Sequence, residues 1–139
     1  RLYIMPTMPK GKPRERKQRG NQDANKKFYG TAIWRKKSKR IRMRDTIAND
    51  GIGCCICAAS DGTGNADHCD HIIAISDGGA PHDERNLWGI CVFHHNVKSG
   101  YETKGITIPS RKGHDGLIPI DRNYVIELIL KGRKDVQSE

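Results

Sequence analysis

Apolar residues follow a helical period in the front third of the chain. Trp34, Ile41 and Ala48 lie seven residues apart, which puts them on one narrow face of a helix. Thr31 is a residue type that accepts hydrogen bonds at helix N-termini, and Gly51 follows the last apolar position. The pattern predicts a helix from Thr31 to about Ala48, with its apolar stripe packed against a core.

Further along, short apolar segments alternate with polar, glycine-rich connections. Residues 66–74 and 87–91 predict two short strands, and the segment between them, rich in Gly, Asp and Pro, predicts a loop. Residues 92–101 predict a helix that follows the second strand. A final helix is predicted over residues 121–131, with Asp121 as its cap. Its inward-facing residues are expected to be Val125, Leu128 and Ile129.

The composition limits the size of the core. The chain has 139 residues, of which 35% are hydrophobic and only two are Phe, so we expect one domain with a small apolar core. Residues 1–27 are rich in Lys, Arg, Pro and Gln, and we expect them to form a flexible basic arm. The predicted domain is residues 28–139, with its core at about residues 50–101.

Positive charge is concentrated at the front of the chain. The first 50 residues carry 16 of the 25 Lys and Arg residues and 4 of the 16 Asp and Glu residues. This imbalance indicates a polyanionic partner such as DNA; a basic tail that only solubilises the protein is the alternative. A solvated helix face would have the same composition as one that binds phosphate. The helix residues that we expect to meet phosphates are Arg35, Lys36 and Arg40.

The cysteines have the spacing of a metal site. Cys54 and Cys57 form one pair, and Cys91 and His94 form a second after 33 intervening residues. Each spacing suits a tight turn that directs two ligands at one tetrahedral ion. The odd number of cysteines, five, argues against a disulfide framework. We therefore predict a structural zinc ion on these four residues; reduced cysteines packed in a small core are the alternative. The cysteines outside this spacing, expected to be small buried residues, are Cys55 and Cys69.

A second group of polar residues surrounds the later metal-ligand pair. Its members are Asp70, His71, Asn86, His95 and Lys98. Asn86 follows His71 by fifteen positions and His95 follows Asn86 by nine. Together with the Cys/His pair, this set resembles the His-Asn-His (HNH) nuclease family over roughly residues 50–100. The resemblance implies an α+β fold: a small zinc-braced ββα-metal core, here with an N-terminal basic helix and a C-terminal helix.

The chemistry of these residue types suggests their roles within that resemblance. A neutral imidazole takes a proton from water near neutral pH, so His71 is the predicted general base. Asp70 and His95 are the predicted ligands of a catalytic divalent ion such as Mg²⁺ or Mn²⁺, which would stabilise charge on the phosphate. By the resemblance, Asn86 either orients the hairpin around His71 or joins the metal ligands. The cations predicted to hold phosphate, with ordinary surface charge as the alternative, are Arg85 and Lys98.

The predicted function is a metal-dependent DNA endonuclease, an enzyme that hydrolyses phosphodiester bonds with little sequence specificity. One active site and the lack of a heptad pattern favour a monomer that chiefly nicks duplex DNA. Two alternatives remain open. One is a zinc-stabilised DNA-binding module with an inactive nuclease motif, and the other is a nuclease that acts on RNA.

A looser resemblance lies upstream of the nuclease motif. The residues Phe28-Tyr29-x-Thr31-x2-Trp34-Arg35 are similar to the lead-in helix of HNH proteins encoded near phage packaging genes. This implies a role in phage DNA packaging, with the terminase as a partner and the host cytoplasm as the location. The chain has no apolar run near the ~18 residues of a membrane span and no signal-peptide core. We therefore expect a soluble cytoplasmic protein that does not contact a membrane.

Overall fold

The described part of the chain begins with a short helical turn. The computed structural model describes the backbone of residues 26–137 and the side chains of residues 26–132. The predicted flexible arm, residues 1–27, lies outside the described residues except for its last two, which begin a helical turn over residues 26–29. Within the described part, no helix is both long enough and apolar enough to span a membrane.

Helix α1, Ala32–Ala48, begins and ends where the sequence predicts. The Thr31 hydroxyl accepts a hydrogen bond from the Trp34 N–H at 3.2 Å, which caps the first turn. Trp34 is buried as predicted, but Ala48 is exposed and Asp45 is buried in its place. An α-helix has 3.6 residues per turn, so a strict seven-residue repeat drifts around the axis. Ala48 has left the buried face by the last turn.

An antiparallel hairpin lies at the centre of the fold. Strand β1, His68–His71, pairs with strand β2, Leu87–Ile90, in a register that sets His71 opposite Leu87. Strand β1 is shorter than the predicted residues 66–74. The chain leaves the ladder after Ile72, whose N–H donates to the Asn86 carbonyl at 2.8 Å. The connection between the strands contains two one-turn 3-10 helices, Ile75–Asp77 and Glu84–Asn86.

Two helices flank the hairpin in sequence. Helix α2, Cys55–Ala58, precedes it, and helix α3, Val92–Thr103, follows it directly. Helix α3 ends two residues beyond its predicted end at residue 101. The final helix α4, Arg122–Gln137, is also longer than predicted. Its cap is Asp121, as predicted, whose carboxylate accepts the Asn123 N–H at 2.9 Å.

A second hairpin is present that the sequence did not predict. Strand β3, Ser110–Lys112, pairs with strand β4, Leu117–Pro119. An isolated bridge between Gly79 and Leu117 joins this hairpin to the loop between β1 and β2. Both strands have three residues and lie among Gly and Pro residues, a composition that indicates a loop when it is taken alone.

The core has two parts, one on each side of the central hairpin. Helix α1 contacts both strands, and Trp34, Ile41 and Leu87 are buried together on that side. Trp88 is buried on the other side, among residues of α2 and α4. The predicted inward residues of α4, Val125, Leu128 and Ile129, are buried. The protein is thus a small mixed helix-and-sheet structure, and the α+β prediction is confirmed at that level.

Candidate functional site

Three thiols and one imidazole converge beside the central hairpin. Cys54 caps α2 and Cys57 lies within it, while Cys91 caps α3 and His94 lies in its first turn. The His94 Nδ1 atom is 3.5 Å from the sulfurs of Cys54 and Cys57. It is 3.3 Å from the Cys91 sulfur, and all four ligand atoms lie within 4.8 Å of one another. Ligands around tetrahedral zinc are separated by roughly 3.5–3.8 Å. This buried cluster could therefore hold a structural metal ion such as zinc.

Two glycines pack against the sulfur atoms of the cluster. A Cβ at Gly62 or at Gly64 would lie 2.9 Å from the Cys57 sulfur. The Gly64 carbonyl also accepts the Cys54 N–H at 3.1 Å. Any larger residue at these positions would displace a ligand sulfur. The sequence analysis did not assign these glycines a role, although two glycines so soon after the Cys-x2-Cys pair were a signal that could have indicated one.

Burial controls the protonation of the cysteines. It raises the pKa of the Cys54 thiol to about 12 and also raises the pKa of Cys57. Without a metal both thiols stay protonated near neutral pH, so an incoming ion must displace their protons. The Cys55 sulfur lies 3.3 Å from the Arg122 guanidinium, and Cys69 packs against the α1 side of the core. Neither residue belongs to the cluster, as the sequence predicted. Cys55 is buried as expected, but Cys69 is only half-buried.

His71 is the last residue of β1 and its ring faces α1. The ring stacks on Trp34, with centroids 4.9 Å apart and 16° between the planes, and the residue is 5% exposed. Its Nε2 atom is 3.1 Å from the Pro81 carbonyl oxygen. A carbonyl oxygen can only accept, so Nε2 carries the proton and Nδ1 is the basic nitrogen. Burial lowers the pKa of His71 below its ordinary value and outweighs the Pro81 hydrogen bond and the Asp70 charge, which raise it.

Asp70 lies on the other face of β1, as the alternation of strand side chains requires. Its Oδ2 atom accepts the Trp88 indole N–H at 3.0 Å, and its Oδ1 atom is 3.5 Å from Nε2 of His95 on α3. Two ligands of a small octahedral ion lie about 3 Å apart. The distance between these two atoms is thus about half an ångström longer than the spacing expected for two ligands of one such ion.

Lys98 is buried, which differs from the prediction that it holds phosphate. The residue is 2% exposed, and its ammonium contacts Asp70 Oδ2 at 3.0 Å, the His71 carbonyl at 2.9 Å and Glu102 at 3.2 Å. Burial opposes the charge, but attraction to Asp70 and Glu102 is stronger and raises the pKa of Lys98. An ammonium group has three N–H donors, and all three have protein acceptors. Lys98 is therefore placed to neutralise Asp70 rather than to bind DNA.

Asn86 is buried and joins the two ends of the loop between the strands. Its carbonyl oxygen accepts the Ile73 N–H at 2.8 Å, and its amide donates to the carbonyls of Ile73 and Ala80 at 3.0 and 2.9 Å. Ala80 precedes Pro81, whose carbonyl orients His71. Of the two roles left open by the sequence, these contacts favour orientation of the hairpin around His71.

The remaining predicted phosphate contacts lie on the surface of the described part. Arg35 and Lys36 are exposed on α1, and Arg40 pairs with Glu84. The Arg85 guanidinium makes two hydrogen bonds to the Asp83 carboxylate, at 3.0 and 2.8 Å, and holds the pKa of Asp83 well below its ordinary range. The charges of Arg40 and Arg85 are therefore balanced in part within the protein.

The sequence missed an acidic residue that fastens α1 to the hairpin. The Asp45 carboxylate accepts the Gly89 N–H at 2.7 Å, and the neighbouring Arg44 donates to the Leu87 carbonyl at 2.9 Å. These two contacts hold α1 against β2, and α1 in turn carries Trp34 to the His71 ring.

Comparisons with known proteins give no relative. No family model, no curated protein and no solved structure matches this chain.

Proposed function

We propose that this protein is a metal-dependent endonuclease of the HNH type that acts on DNA. The observation that carries the proposal lies at the end of β1. Asp70 Oδ1 is 3.5 Å from His95 Nε2. His71, which follows Asp70 in the chain, has its Nε2 atom hydrogen-bonded to the Pro81 carbonyl and a lowered pKa. Metal-assisted hydrolysis of a phosphodiester needs a proton acceptor beside a metal site with open positions. Two strands followed by a helix, in this order, support a ββα-metal core.

The side chains divide the work between them. A divalent ion such as Mg²⁺ or Mn²⁺, held by Asp70 and His95, would supply Lewis acidity at a phosphate oxygen. His71 would accept the proton of the attacking water at Nδ1, since its Nε2 is bonded to the Pro81 carbonyl. Asn86 would act as a positioning residue, because it fixes the Ala80 carbonyl next to Pro81.

The Cys/His cluster would support this site through α3. Its ligands Cys91 and His94 occupy the cap and first turn of that helix, and His95 follows His94 directly. A zinc ion on the cluster would therefore fix the start of α3 and, with it, the direction of the His95 ring. Ligand positions supported in this way hold catalytic geometry better than positions on a free loop.

The proposed substrate contacts follow the distribution of charge. Exposed Arg35 and Lys36 on α1, with the basic residues before it, would bind backbone phosphates and add little sequence specificity. One active site favours a monomer that nicks one strand at a time. From the upstream resemblance alone, we extend the proposal to a role beside a phage terminase in the host cytoplasm.

The proposal is tested by incubating zinc-loaded protein and supercoiled plasmid with a panel of divalent ions. Open-circular DNA is expected with Mg²⁺ or Mn²⁺, with linear DNA appearing late because one chain has one site. Asp70→Asn and His95→Ala should abolish cutting, while His114→Ala, a histidine on the second hairpin's turn, serves as the control. Protein that cuts with none of the ions contradicts the proposal.

One observation favours the second candidate, a zinc-stabilised DNA-binding module without activity. Lys98 already neutralises Asp70 at 3.0 Å, and a buried cation there opposes the binding of a second one. Calorimetric titration of Mn²⁺ into the zinc-loaded protein separates the two candidates. Binding that is lost in Asp70→Asn supports the nuclease. DNA binding without any Mn²⁺ binding supports the module.

A further inference from the structure

An aromatic cluster covers the α1 side of His71. The ring centroid of Tyr29 is 5.2 Å from that of Phe28, 5.6 Å from that of Trp34 and 6.1 Å from that of His71. Trp34 and His71 are buried, whereas Tyr29 is 44% exposed. The inner rings therefore hold the Tyr29 ring in a fixed place at the surface, directly beside the proposed base.

Tyr29 combines partial exposure with a hydroxyl that has no protein partner in the described part of the chain. Among the described residues, none forms a hydrogen bond with the hydroxyl. Burial, followed by the charges of Asp70 and Glu102, raises the pKa of Tyr29, so the hydroxyl stays protonated and can donate.

The surroundings of Tyr29 carry positive charge. Lys26 and Lys27 are exposed in the same helical turn, and Arg35 and Lys36 are exposed at the start of α1. Exposed aromatic rings among basic side chains are the pattern that binds single-stranded nucleic acid, because bases stack on the rings while cations meet the phosphates. Most base pairs of an intact duplex are stacked on each other and offer no free ring face.

From these observations we propose that Tyr29 is a stacking platform for an unpaired DNA base next to the bond that is cut. The inference rests on the proposed nuclease function and names its substrate class: DNA with unpaired nucleotides, such as single strands, flaps and frayed ends. Stacking would hold the nucleotide so that its phosphate lies beside His71. A duplex would bind through its phosphates alone and would be the poorer substrate.

The test measures binding without cleavage. Fluorescein-labelled 12-nucleotide single strands and 12-base-pair duplexes are titrated with zinc-loaded protein, with no divalent ion added, and anisotropy is recorded. Tyr29→Ala should weaken single-strand binding about fivefold or more, as expected for one lost stack, and leave duplex binding within twofold. Tyr29→Phe keeps the ring and should bind single strands within twofold of wild type. Met43→Ala, at an exposed apolar residue about three turns into α1, is the matched control and should change neither affinity.

A second measurement covers the case in which Tyr29→Ala disturbs the fold. A single strand with 2-aminopurine at its centre is added to the wild-type protein, and stacking should quench its fluorescence, with less quenching by Tyr29→Leu. Equal losses of single-strand and duplex binding, or unchanged single-strand binding in Tyr29→Ala, would overturn the proposal. Faster cleavage by Tyr29→Ala would also overturn it, because the ring would then be a cover over His71. Tyr29-dependent binding by a protein that never cuts would contradict the nuclease proposal alone.

Discussion

Replacement of Asn86 by Ala should destabilise the protein strongly, because Asn86 satisfies three buried backbone groups. Its side chain bonds the Ile73 N–H at 2.8 Å and the Ile73 and Ala80 carbonyls at 3.0 and 2.9 Å, and the residue has no exposed surface. Each buried group left without a partner costs about 1–3 kcal/mol. With some water entering the cavity, we expect a loss of roughly 3–6 kcal/mol in the free energy of unfolding, a large share of a typical total.

This loss should appear as a fall in melting temperature of about 10–20 °C for a domain of this size. The assay is thermal unfolding of the zinc-loaded protein, followed by circular dichroism. Asn96→Ala is the matched control, since Asn96 is exposed on α3. This variant should melt within about 2 °C of wild type. If Asn86→Ala melts like wild type but no longer cuts DNA, the reasoning is refuted, and Asn86 acts on the substrate or the metal instead.

Three further predictions concern the metal cluster, the base and the buried ammonium. Cys91→Ser should lose zinc and unfold, because a structural ion contributes its binding energy to folding, while the control Cys69→Ser should keep one zinc per chain. Metal analysis and circular dichroism measure the two effects. A zinc-free Cys91→Ser protein that melts like wild type would contradict the role of the cluster. Cleavage at saturating DNA should lose activity only below pH 6.5, since burial lowers the pKa of His71 from that value and a cation at Asp70 acts in the same direction. Neutral His71 also stabilises the fold above pH 6.5, and this contribution is lost as the pH falls further. A loss of activity that begins above pH 7 would refute the assignment of His71 as the base. Lys98→Met should cost about 3–5 kcal/mol of stability by leaving Asp70 buried without its cation; a variant that keeps its melting temperature but loses DNA affinity would show that Lys98 faces the substrate.

Local signals in the sequence predicted the starts of two helices and the metal cluster. Thr31 and Asp121 cap helices in the structure as predicted, since capping depends on the residue and its near neighbours. The Cys54/Cys57 and Cys91/His94 pairs converge as predicted. Two ligands three residues apart can meet a partner pair only in a few geometries, so spacing alone carries much of the information.

Features that depend on distant partners were not predictable in this way. Asp45 and Lys98 are charged residues that sequence patterns assign to the surface, yet both are buried. The Gly89 N–H donates a hydrogen bond to the Asp45 carboxylate, and the Asp70 carboxylate pairs with the Lys98 ammonium. The β3–β4 hairpin was missed for a similar reason. Its strands have three residues each, and the bridge from Leu117 to Gly79 that supports it joins residues far apart in the chain.

The central claim is that His71 is the base of a metal-dependent nuclease, and one comparison tests it most directly. Wild type and His71→Gln, matched for zinc content and melting temperature, are assayed on supercoiled plasmid with Mg²⁺ or Mn²⁺. Gln keeps much of the volume against Trp34 and an N–H for the Pro81 carbonyl but cannot take a proton at this position. We expect open-circular product from wild type and a rate at least about 100-fold lower from His71→Gln. Cutting by the variant within tenfold of wild type, or none by wild type, would contradict the claim.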